Sequence, residues 1–478
     1  MDLRTLVRTL TPVVALLLLA GCTDAEAGVR GKPGAAGTGD PLFPKLGNGG
    51  YDVQHYALTL GYDPKTGRLD GTAEITARAT QDLSAFNLDF HGMTVTGATV
   101  DGRAAAANRA GDELTLRPHR DLDKGKTFRA VVRYSGVPKT IVDKDTDKDT
   151  DKDTEKPREG WLKTADGALA LGQPIGSMAW FPSNNHPSDK ATYDITVTVP
   201  EKLQAISNGE LKATPSTTGG RSTFRWTSKQ PMASYLVTLA VGDYRLTTSR
   251  TPSGLPVLTA VNQAVPDESA KVLARIPEMT EWGEENFGPY PFSSTGAIVV
   301  PGAAADYALE TQTRPVLPLD PGENELDVET LLVHEVAHQW FGNSVSPKSW
   351  KDMWLNESFA QYAEWIWLED YHDTPAQKSF DEAFAEESNW AFPPAVPPSG
   401  AEISDAPVYH RGAMVLHKIR QAVGEEVFFD IVKGWAAAHR HSNASTADFT
   451  EYVEKKSGKD LTELWDTWLY GKDKPAAP

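Results

Sequence analysis

The chain has 478 residues, with 47 basic and 65 acidic side chains and therefore a net charge of −18 at pH 7. Such acidity disfavours binding to nucleic acid or to an anionic membrane surface. The single cysteine excludes internal disulfide bonds, and the length is sufficient for two or three domains.

Residues 1–21 are typical of a secretory signal peptide. Arg4 and Arg8 precede an apolar run that is too short to span a membrane. The run ends in L-A-G-C at Cys22, which resembles a bacterial lipobox and implies cleavage before Cys22 and a diacylglycerol on its thiol. The alternative is a plain signal peptide with an incidental cysteine. The expected location is the extracellular face of a bacterial cell membrane, where a lipid anchors the protein, or the medium if it is secreted.

Two segments have no apolar pattern. Residues 22–50 are rich in Gly, Ala and Pro, and this composition predicts a flexible tether. Residues 143–158 consist mainly of a repeated D-K-D-T, whose charges nearly cancel. The repeat lacks the glycine and the final glutamate of a calcium-binding EF-hand loop. It cannot pack against a core, so we predict a disordered insertion.

Residues 51–250 predict an antiparallel β domain. Apolar residues alternate with small or polar ones in several stretches, for example at Tyr56, Leu58, Leu60 and Tyr62. A period of two, interrupted by clusters of Gly, Pro and Asp, indicates strands with one buried face. The expected architecture is a β-sandwich or saddle.

Residues 251–478 predict a mostly helical domain. Leu273, Ile276, Met279 and Trp282 recur at helical spacing. Further helices are predicted over residues 412–423, 425–439 and 446–457. We therefore expect an α+β multidomain protein in which a β domain precedes a helical one.

The helical domain contains H-E-V-A-H at residues 334–338, and eighteen residues separate His338 from Glu357. His334 and His338 would lie one turn apart on the same face of a helix. Two imidazoles and one carboxylate, with a fourth position open, are the ligands of a catalytic zinc ion. Glu335 lies beside them and could take a proton from the attacking water. The alternative is that the histidines are hydrogen-bonded core residues and Glu357 is a surface glutamate.

These residues resemble the gluzincin aminopeptidases, the family of aminopeptidase N and its relatives. In that family a glutamate follows H-E-x-x-H after eighteen residues, inside W-L-N-E-G-F-A; residues 354–360 here read W-L-N-E-S-F-A. The resemblance implies a peptidase with one zinc ion and a thermolysin-like catalytic domain after a β domain. Many members carry a further helical domain above the active site. This chain ends at Pro478, so a more open cleft is expected.

The resemblance assigns three more residues. Tyr409 begins Y-H-R-G-A and matches the tyrosine of Y-x-K-G-A, which donates a hydrogen bond to the oxyanion of the tetrahedral intermediate. Glu310 matches the glutamate of G-x-M-E-N, which binds the free α-amino group of the substrate. Gln173 falls where the family often has a glutamine in the same pocket. The G-x-M-E-N motif is otherwise altered, by Tyr307, Leu309 and Thr311.

The leading hypothesis is a zinc aminopeptidase that acts on peptides. The first alternative is a zinc endopeptidase or a peptidase of relaxed specificity, because the change at Tyr307 affects exopeptidase character rather than hydrolysis. The second is a surface binding protein that uses the fold without turnover. Cleavage of N-blocked peptides would indicate the first alternative, and a zinc-loaded protein inert towards all peptides would indicate the second.

Overall fold

The computed structural model describes residues 31–142 and 157–476. The predicted signal peptide, Cys22 and residues 143–156 of the predicted insertion lie outside the described residues. β-sheets come first and helices predominate afterwards, as the sequence predicted. Buried apolar side chains from both regions form one contiguous core, from Tyr51 to Leu469. No helix in the described ranges combines the length and the apolar character that crossing a membrane requires.

The described residues up to 242 form three sheets. Its strands are β1 (Lys32–Pro33), β2 (Tyr51–Asp63), β3 (Arg68–Ala79), β4 (Leu83–Asp89), β5 (Thr94–Val100), β6 (Arg103–Ala104), β7 (Ala106–Ala110), β8 (Glu113–Arg117), β9 (Thr127–Gly136), β10 (Thr140–Val142), β11 (Arg158–Lys163), β12 (Ala168–Leu171), β13 (Lys190–Pro200), β14 (Gln204–Ser207), β15 (Glu210–Leu211), β16 (Ser216–Thr218), β17 (Arg221–Ala233) and β18 (Leu239–Gly242). The nine-stranded sheet has the order β15-β17-β13-β2-β3-β9-β5-β6, with β16 beside β17. The other two sheets are β10-β11-β12-β18-β14 and β1-β4-β8-β7.

The alternating stretches build the largest sheet. Tyr56, Leu58, Leu60 and Tyr62 of β2 are each 1 % exposed, and the residues between them are more exposed. β2 pairs antiparallel with β3 and parallel with β13. A strand with one buried face keeps its register, because a slip of one residue would turn every apolar side chain towards solvent.

The second region begins with a sheet whose strands beyond residue 250 were not located from the sequence. Its strands are β19 (Tyr244–Arg250), β20 (Pro256–Asn262), β21 (Thr295–Pro301) and β22 (Val316–Leu319), hydrogen-bonded in that order. β20, β21 and β22 are parallel. Strands buried on both faces read as continuous apolar runs, so the period of two is absent. The prediction of a mostly helical second domain is confirmed, but the sequence patterns did not locate these strands.

The helices that follow carry most of the site. They are α1 (Ile276–Phe287), α2 (Glu325–Ala337), α3 (Trp354–Tyr371), α4 (Ala376–Ala385), α5 (Gly412–Val423), α6 (Glu425–Ala438), α7 (Thr446–Ser457) and α8 (Thr462–Leu464), with a small sheet of β23 (Val345–Pro347) and β24 (Ser442–Ala444). The predicted helices over 412–423 and 446–457 are confirmed as α5 and α7. α7 begins with a capping box between Ser445 and Asp448, which stabilises its first turn.

Residues 31–50, which we call the N-terminal clasp, are packed against the rest of the molecule. Asp40 is 4 % exposed and accepts hydrogen bonds from Ser349 Oγ (2.7 Å) and from the backbone N–H of Trp350 (2.9 Å). His186 Nε2 lies 3.2 Å from the same carboxylate. The Phe43 ring contacts the ring of Trp350, with centroids 5.5 Å apart. The prediction of a flexible tether is therefore wrong for residues 31–50, because polar groups rather than a periodic apolar face hold them.

Candidate active site

Two helices bring the predicted metal ligands together. α2 begins after Asn324, whose side chain accepts a hydrogen bond from the backbone N–H of Leu326. His334 lies in its last turn, and His338 follows directly after its end. Glu357 lies in the first turn of α3. The C-terminal end of one helix thus meets the N-terminal end of the other.

The three ligand side chains converge on one point. Their ligand atoms lie within 4.8 Å of one another, and in the described part of the chain they are the only group of three or more such residues that could hold a metal ion. The Nε2 atoms of His334 and His338 lie 3.5 and 3.3 Å from Glu357 Oε2. All three side chains are buried. Three buried donors around one point form a site that a zinc ion fits.

The second nitrogen of each histidine supports this assignment. His334 Nδ1 donates to Glu364 Oε1 (2.7 Å), and His338 Nδ1 donates to the carbonyl oxygen of Phe341 (3.0 Å). A proton on Nδ1 leaves the lone pair of Nε2 available to a metal. We did not predict Glu364 from the sequence. Its spacing of seven residues from Glu357, two turns along the same helix, is the signal that could have revealed it.

The carboxylates around His334 and His338 raise the pKa values of both imidazoles. Burial alone would lower the pKa of His338, but the charges of Glu357 and Glu310 raise it above its ordinary value. Burial also opposes protonation of His334, yet Glu357 and Glu364 raise its pKa. A metal binds the neutral imidazoles, so metal binding competes with protonation of both histidines.

The other predicted site residues line the same cavity of about 440 Å³ as the zinc ligands: Glu335, Glu310, Gln173 and Tyr409. Burial raises the pKa of Glu335 to about 8. One side-chain oxygen of each of Glu335, Glu310 and Gln173 is buried without a hydrogen-bond partner in the described structure. Acceptors of this kind need a donor from a ligand or water, since an unsatisfied buried acceptor is costly.

Tyr409 lies in a single turn of π-helix, Pro407–Arg411, before α5. Its ring stacks on His334 with a centroid distance of 5.9 Å. Ser358, which replaces the family's glycine, donates to the Val408 carbonyl (2.7 Å) and so ties α3 to this turn. Burial and the negative charge of Glu357 raise the pKa of Tyr409 well above its ordinary value. The phenol therefore stays protonated and can donate a hydrogen bond.

The altered motif around Glu310 remains attached to the edge of the sheet. The backbones of Leu309 and Val316 exchange hydrogen bonds of 3.0 and 2.8 Å, which fixes the segment beside β22. Tyr307 lines the cavity, and its hydroxyl donates to the Gln173 carbonyl (3.1 Å). Tyr307 thus bridges the sheet edge and the loop that carries Gln173.

Comparison with known proteins agrees with this geometry. The model of the peptidase M1 N-terminal domain matches residues 52–236, and that of the peptidase family M1 domain matches residues 275–468. The chain belongs to the M1 family of zinc metallopeptidases. Its zinc site is His334, His338 and Glu357, a ligand set typical of M1 peptidases.

Several M1 relatives are similar over large parts of the chain. Aminopeptidase M1 of Arabidopsis thaliana is 30 % identical over 332 residues, which are 64 % of this chain and 37 % of the relative. Human endoplasmic reticulum aminopeptidase 1 is 26 % identical over 423 residues, 82 % of this chain and 44 % of the relative. The chain thus spans between a third and a half of the length of these curated relatives.

Solved structures of a Deinococcus radiodurans M1 zinc metallopeptidase share nearly the whole fold. One superposes with a TM-score of 0.82 at 29 % identity and covers 92 % of this chain and 98 % of that chain. A mutant of that protein has been solved with a Tyr-Ser-Ala substrate bound. The two-domain M1 architecture is therefore shared over 92 % of this chain.

Proposed function

We propose that this M1 protein is a zinc-dependent aminopeptidase that removes N-terminal residues from peptides. The observation that carries the proposal is one cavity lined by three buried zinc ligands and by two further carboxylates, Glu335 and Glu310, each with a buried oxygen that lacks a partner. The tripeptide bound to the Deinococcus relative is a substrate of the same class.

Each residue has a role in this reaction. A bound zinc ion polarises a carbonyl oxygen and lowers the pKa of a water ligand to about 7. Glu335 accepts the proton of the attacking water and later gives it to the leaving amine. Tyr409 donates a hydrogen bond to the oxyanion of the tetrahedral intermediate. Glu310, with Gln173 beside it, binds the protonated α-amino group and so restricts cleavage to the first peptide bond.

A peptidase of relaxed specificity with the same site is the second candidate. Tyr307, which stands where the family has a glycine, favours it because this side chain lines the cavity beside Glu310. Such an enzyme would also cleave peptides whose amino group is blocked.

The deciding experiment compares one fluorogenic peptide with its amino group free and acetylated, each with and without a zinc chelator. The protein should begin at Gly31, so that the N-terminal clasp is kept. We expect chelator-sensitive cleavage of the free peptide only. Equal cleavage of both peptides would replace the aminopeptidase with the relaxed peptidase, and cleavage that survives the chelator would contradict the zinc mechanism.

We also propose that the protein is anchored to the outer face of the cell membrane by a lipid on Cys22. The support is the sequence of residues 1–22, which has a basic start, a short apolar run and L-A-G-C. Cys22→Ser should move the protein from the membrane fraction to the medium or to the soluble fraction. A membrane-bound Cys22→Ser protein would contradict the proposal.

A further inference from the structure

Two side-chain amides hold the main chain of Glu310. Asn343 Nδ2 donates to the carbonyl oxygen of Glu310 at 2.6 Å, and Gln339 Nε2 donates to the same oxygen at 3.3 Å. Gln339 Oε1 accepts a hydrogen bond from the backbone N–H of Thr313 (2.8 Å). Both amide side chains are fully buried. Together they hold both ends of the segment from Glu310 to Thr313.

The two amides belong to the turn that directly follows the second zinc ligand, His338. The backbone N–H of Asn343 donates to the carbonyl of His338 (3.0 Å), and that of Ser344 donates to the carbonyl of Gln339 (3.2 Å). The turn is therefore fixed to the C-terminal end of α2. A displacement of Asn343 relative to His338 would weaken these bonds. The amides therefore couple the position of Glu310 to that of the metal ligand His338.

The β domain fastens the same turn from the other side. Lys190, at the start of β13, donates from Nζ to the carbonyl oxygens of Asn343 and Ser344, both at 2.8 Å. The carbonyl of Ser442 lies 3.4 Å from the same nitrogen. Burial lowers the pKa of Lys190 to about 7, and the amine can donate to the two nearer carbonyl oxygens in either protonation state. Lys190 thus locks Asn343 in place.

The clamped segment would not hold its shape alone. Thr313 has φ +70°, in the left-handed region that a β-branched residue rarely adopts. Such a conformation persists only where its surroundings impose it; here Gln339 binds its N–H, and its hydroxyl accepts from the N–H of Gly209 (2.8 Å). The Oε1 atom of Glu310 has no partner, and the two amides hold the main chain from which this side chain extends.

We propose that Asn343, supported by Gln339, is a positioning residue that sets the distance between the Glu310 carboxylate and the metal centre. The inference rests on the proposed function, in which Glu310 binds the α-amino group. Only a few bonds separate that amino group from the first carbonyl of the peptide. The distance between the two binding points must therefore match one residue, and a displaced Glu310 would bind the amino group more weakly when the carbonyl lies at the metal centre.

The test compares Asn343→Leu with Asn389→Leu. Leucine has nearly the size of asparagine but no hydrogen-bond donor. Asn389 is a matched control: it is 1 % exposed, its Nδ2 donates to the Ala383 carbonyl at 2.8 Å, and its Oδ1 is buried without a partner, as is that of Asn343. KM and kcat are measured with the free and the acetylated fluorogenic peptide, together with zinc content and thermal stability.

Asn343→Leu should raise KM for the free peptide about tenfold, because a buried carbonyl loses its best donor. Zinc content should stay at one ion per chain, and kcat should change much less than KM. Asn389→Leu should keep the wild-type KM. An unchanged KM in Asn343→Leu, or a loss confined to kcat or to zinc content, would overturn the positioning role.

A second variant covers the case in which Asn343→Leu does not fold. Lys190→Met keeps nearly the length of the side chain and removes the donor to the carbonyl oxygens of Asn343 and Ser344. It should raise KM in the same direction by a smaller factor, with zinc content unchanged, and a wild-type KM would count against the inference. Equal cleavage of both peptides by the wild-type enzyme would remove the proposed amine anchor itself. A wild-type preference for the free peptide that Asn343→Leu retains at full strength would overturn the positioning role alone.

Discussion

The buried carboxylate of Glu335 is the group on which hydrolysis depends in the proposed mechanism. Glu335→Gln keeps the size of the side chain and removes the base, so kcat should fall by about 10³-fold or more. Zinc content should be unchanged, because Glu335 is not among the three ligands. Steady-state kinetics and metal analysis on the same preparation check both statements. Near-wild-type turnover in a zinc-loaded Glu335→Gln protein would refute this mechanism.

The Tyr409 hydroxyl should matter to turnover rather than to binding. Tyr409→Phe removes one donor to the oxyanion, and losses of this kind lower kcat by about 10²-fold. KM should change little, because the bond forms only as charge develops. Tyr362→Phe is the control, since its hydroxyl contacts His417 Nδ1 at 3.1 Å instead of the cavity. Equal kcat values for the two variants would remove Tyr409 from the mechanism.

Asp189 in the β domain should make stability depend on pH. Burial raises its pKa to about 8, despite hydrogen bonds from the backbone of Val53 and the amide of Asn184. The folded protein therefore keeps a proton that the unfolded chain releases near pH 4. The free energy of unfolding should fall as the pH rises from about 4 to about 8.

Asp189→Asn cannot titrate at this position, so its free energy of unfolding should depend less on pH. Between pH 5 and pH 8, the free energy of unfolding should fall further in the wild type than in the variant. The difference between the two falls should be about 1 kcal/mol or more. Urea unfolding at several pH values measures the difference. Parallel pH profiles for the two proteins would show that Asp189 is ionised throughout.

Among the elements, the N-terminal clasp makes the clearest prediction. Burial alone would raise the pKa of Asp40, but the hydrogen bonds of His186 and Ser349 hold it well below its ordinary value. The carboxylate is thus ionised where it joins the two regions. A chain that begins at Gly47 should lose about 3 kcal/mol or more compared with one that begins at Gly31, because several charged hydrogen bonds disappear.

Thermal and urea unfolding of the two chains test this loss. Asp40→Asn in the longer chain should reproduce part of it, since one amide cannot accept every hydrogen bond that the carboxylate accepts. If the shorter chain unfolded at the same denaturant concentration, residues 31–46 would be a tether after all.

Sequence patterns predicted elements whose signals are local. The alternation in β2, for example, lies within the strand that it specifies. The strands β20 to β22 were missed because a fully buried strand has no alternation. The clasp was missed because its attachment depends on the hydrogen bond between Asp40 and Ser349, which lie more than 300 positions apart in the sequence.

The same distinction applies to the site. The spacing of His334, His338 and Glu357 is a property of two helices and is visible in the sequence. The contact between Asn343 and Glu310 depends on how the end of α2 approaches the edge of the sheet. A single sequence does not show that approach, so this contact was not predictable from spacing.

At the scale of the whole molecule, the metal should contribute to stability as well as to chemistry. It would be bound by His334 and His338 at the end of α2 and by Glu357 at the start of α3. Its removal should therefore loosen both helix ends. Binding at a hundred times the dissociation constant adds about 2.7 kcal/mol. Chelator should therefore lower the melting temperature, and added zinc should restore it.

His338→Ala provides the control, because it removes one ligand and should abolish the response to zinc. A melting temperature that ignores both chelator and zinc in the wild-type protein would mean that the site holds its geometry without the ion.

The packing of the clasp also limits how far an anchored enzyme could stand from the lipid surface. Nine peptide units separate Cys22 from Gly31, whose backbone N–H is bound by Asp121 at 2.7 Å. Even fully stretched, they reach only about 30 Å, whereas a free chain to residue 50 would reach about 100 Å. Gly31 of an enzyme held by Cys22 would therefore stay within about 30 Å of the lipid surface, a distance similar to the thickness of the bilayer's own hydrocarbon core.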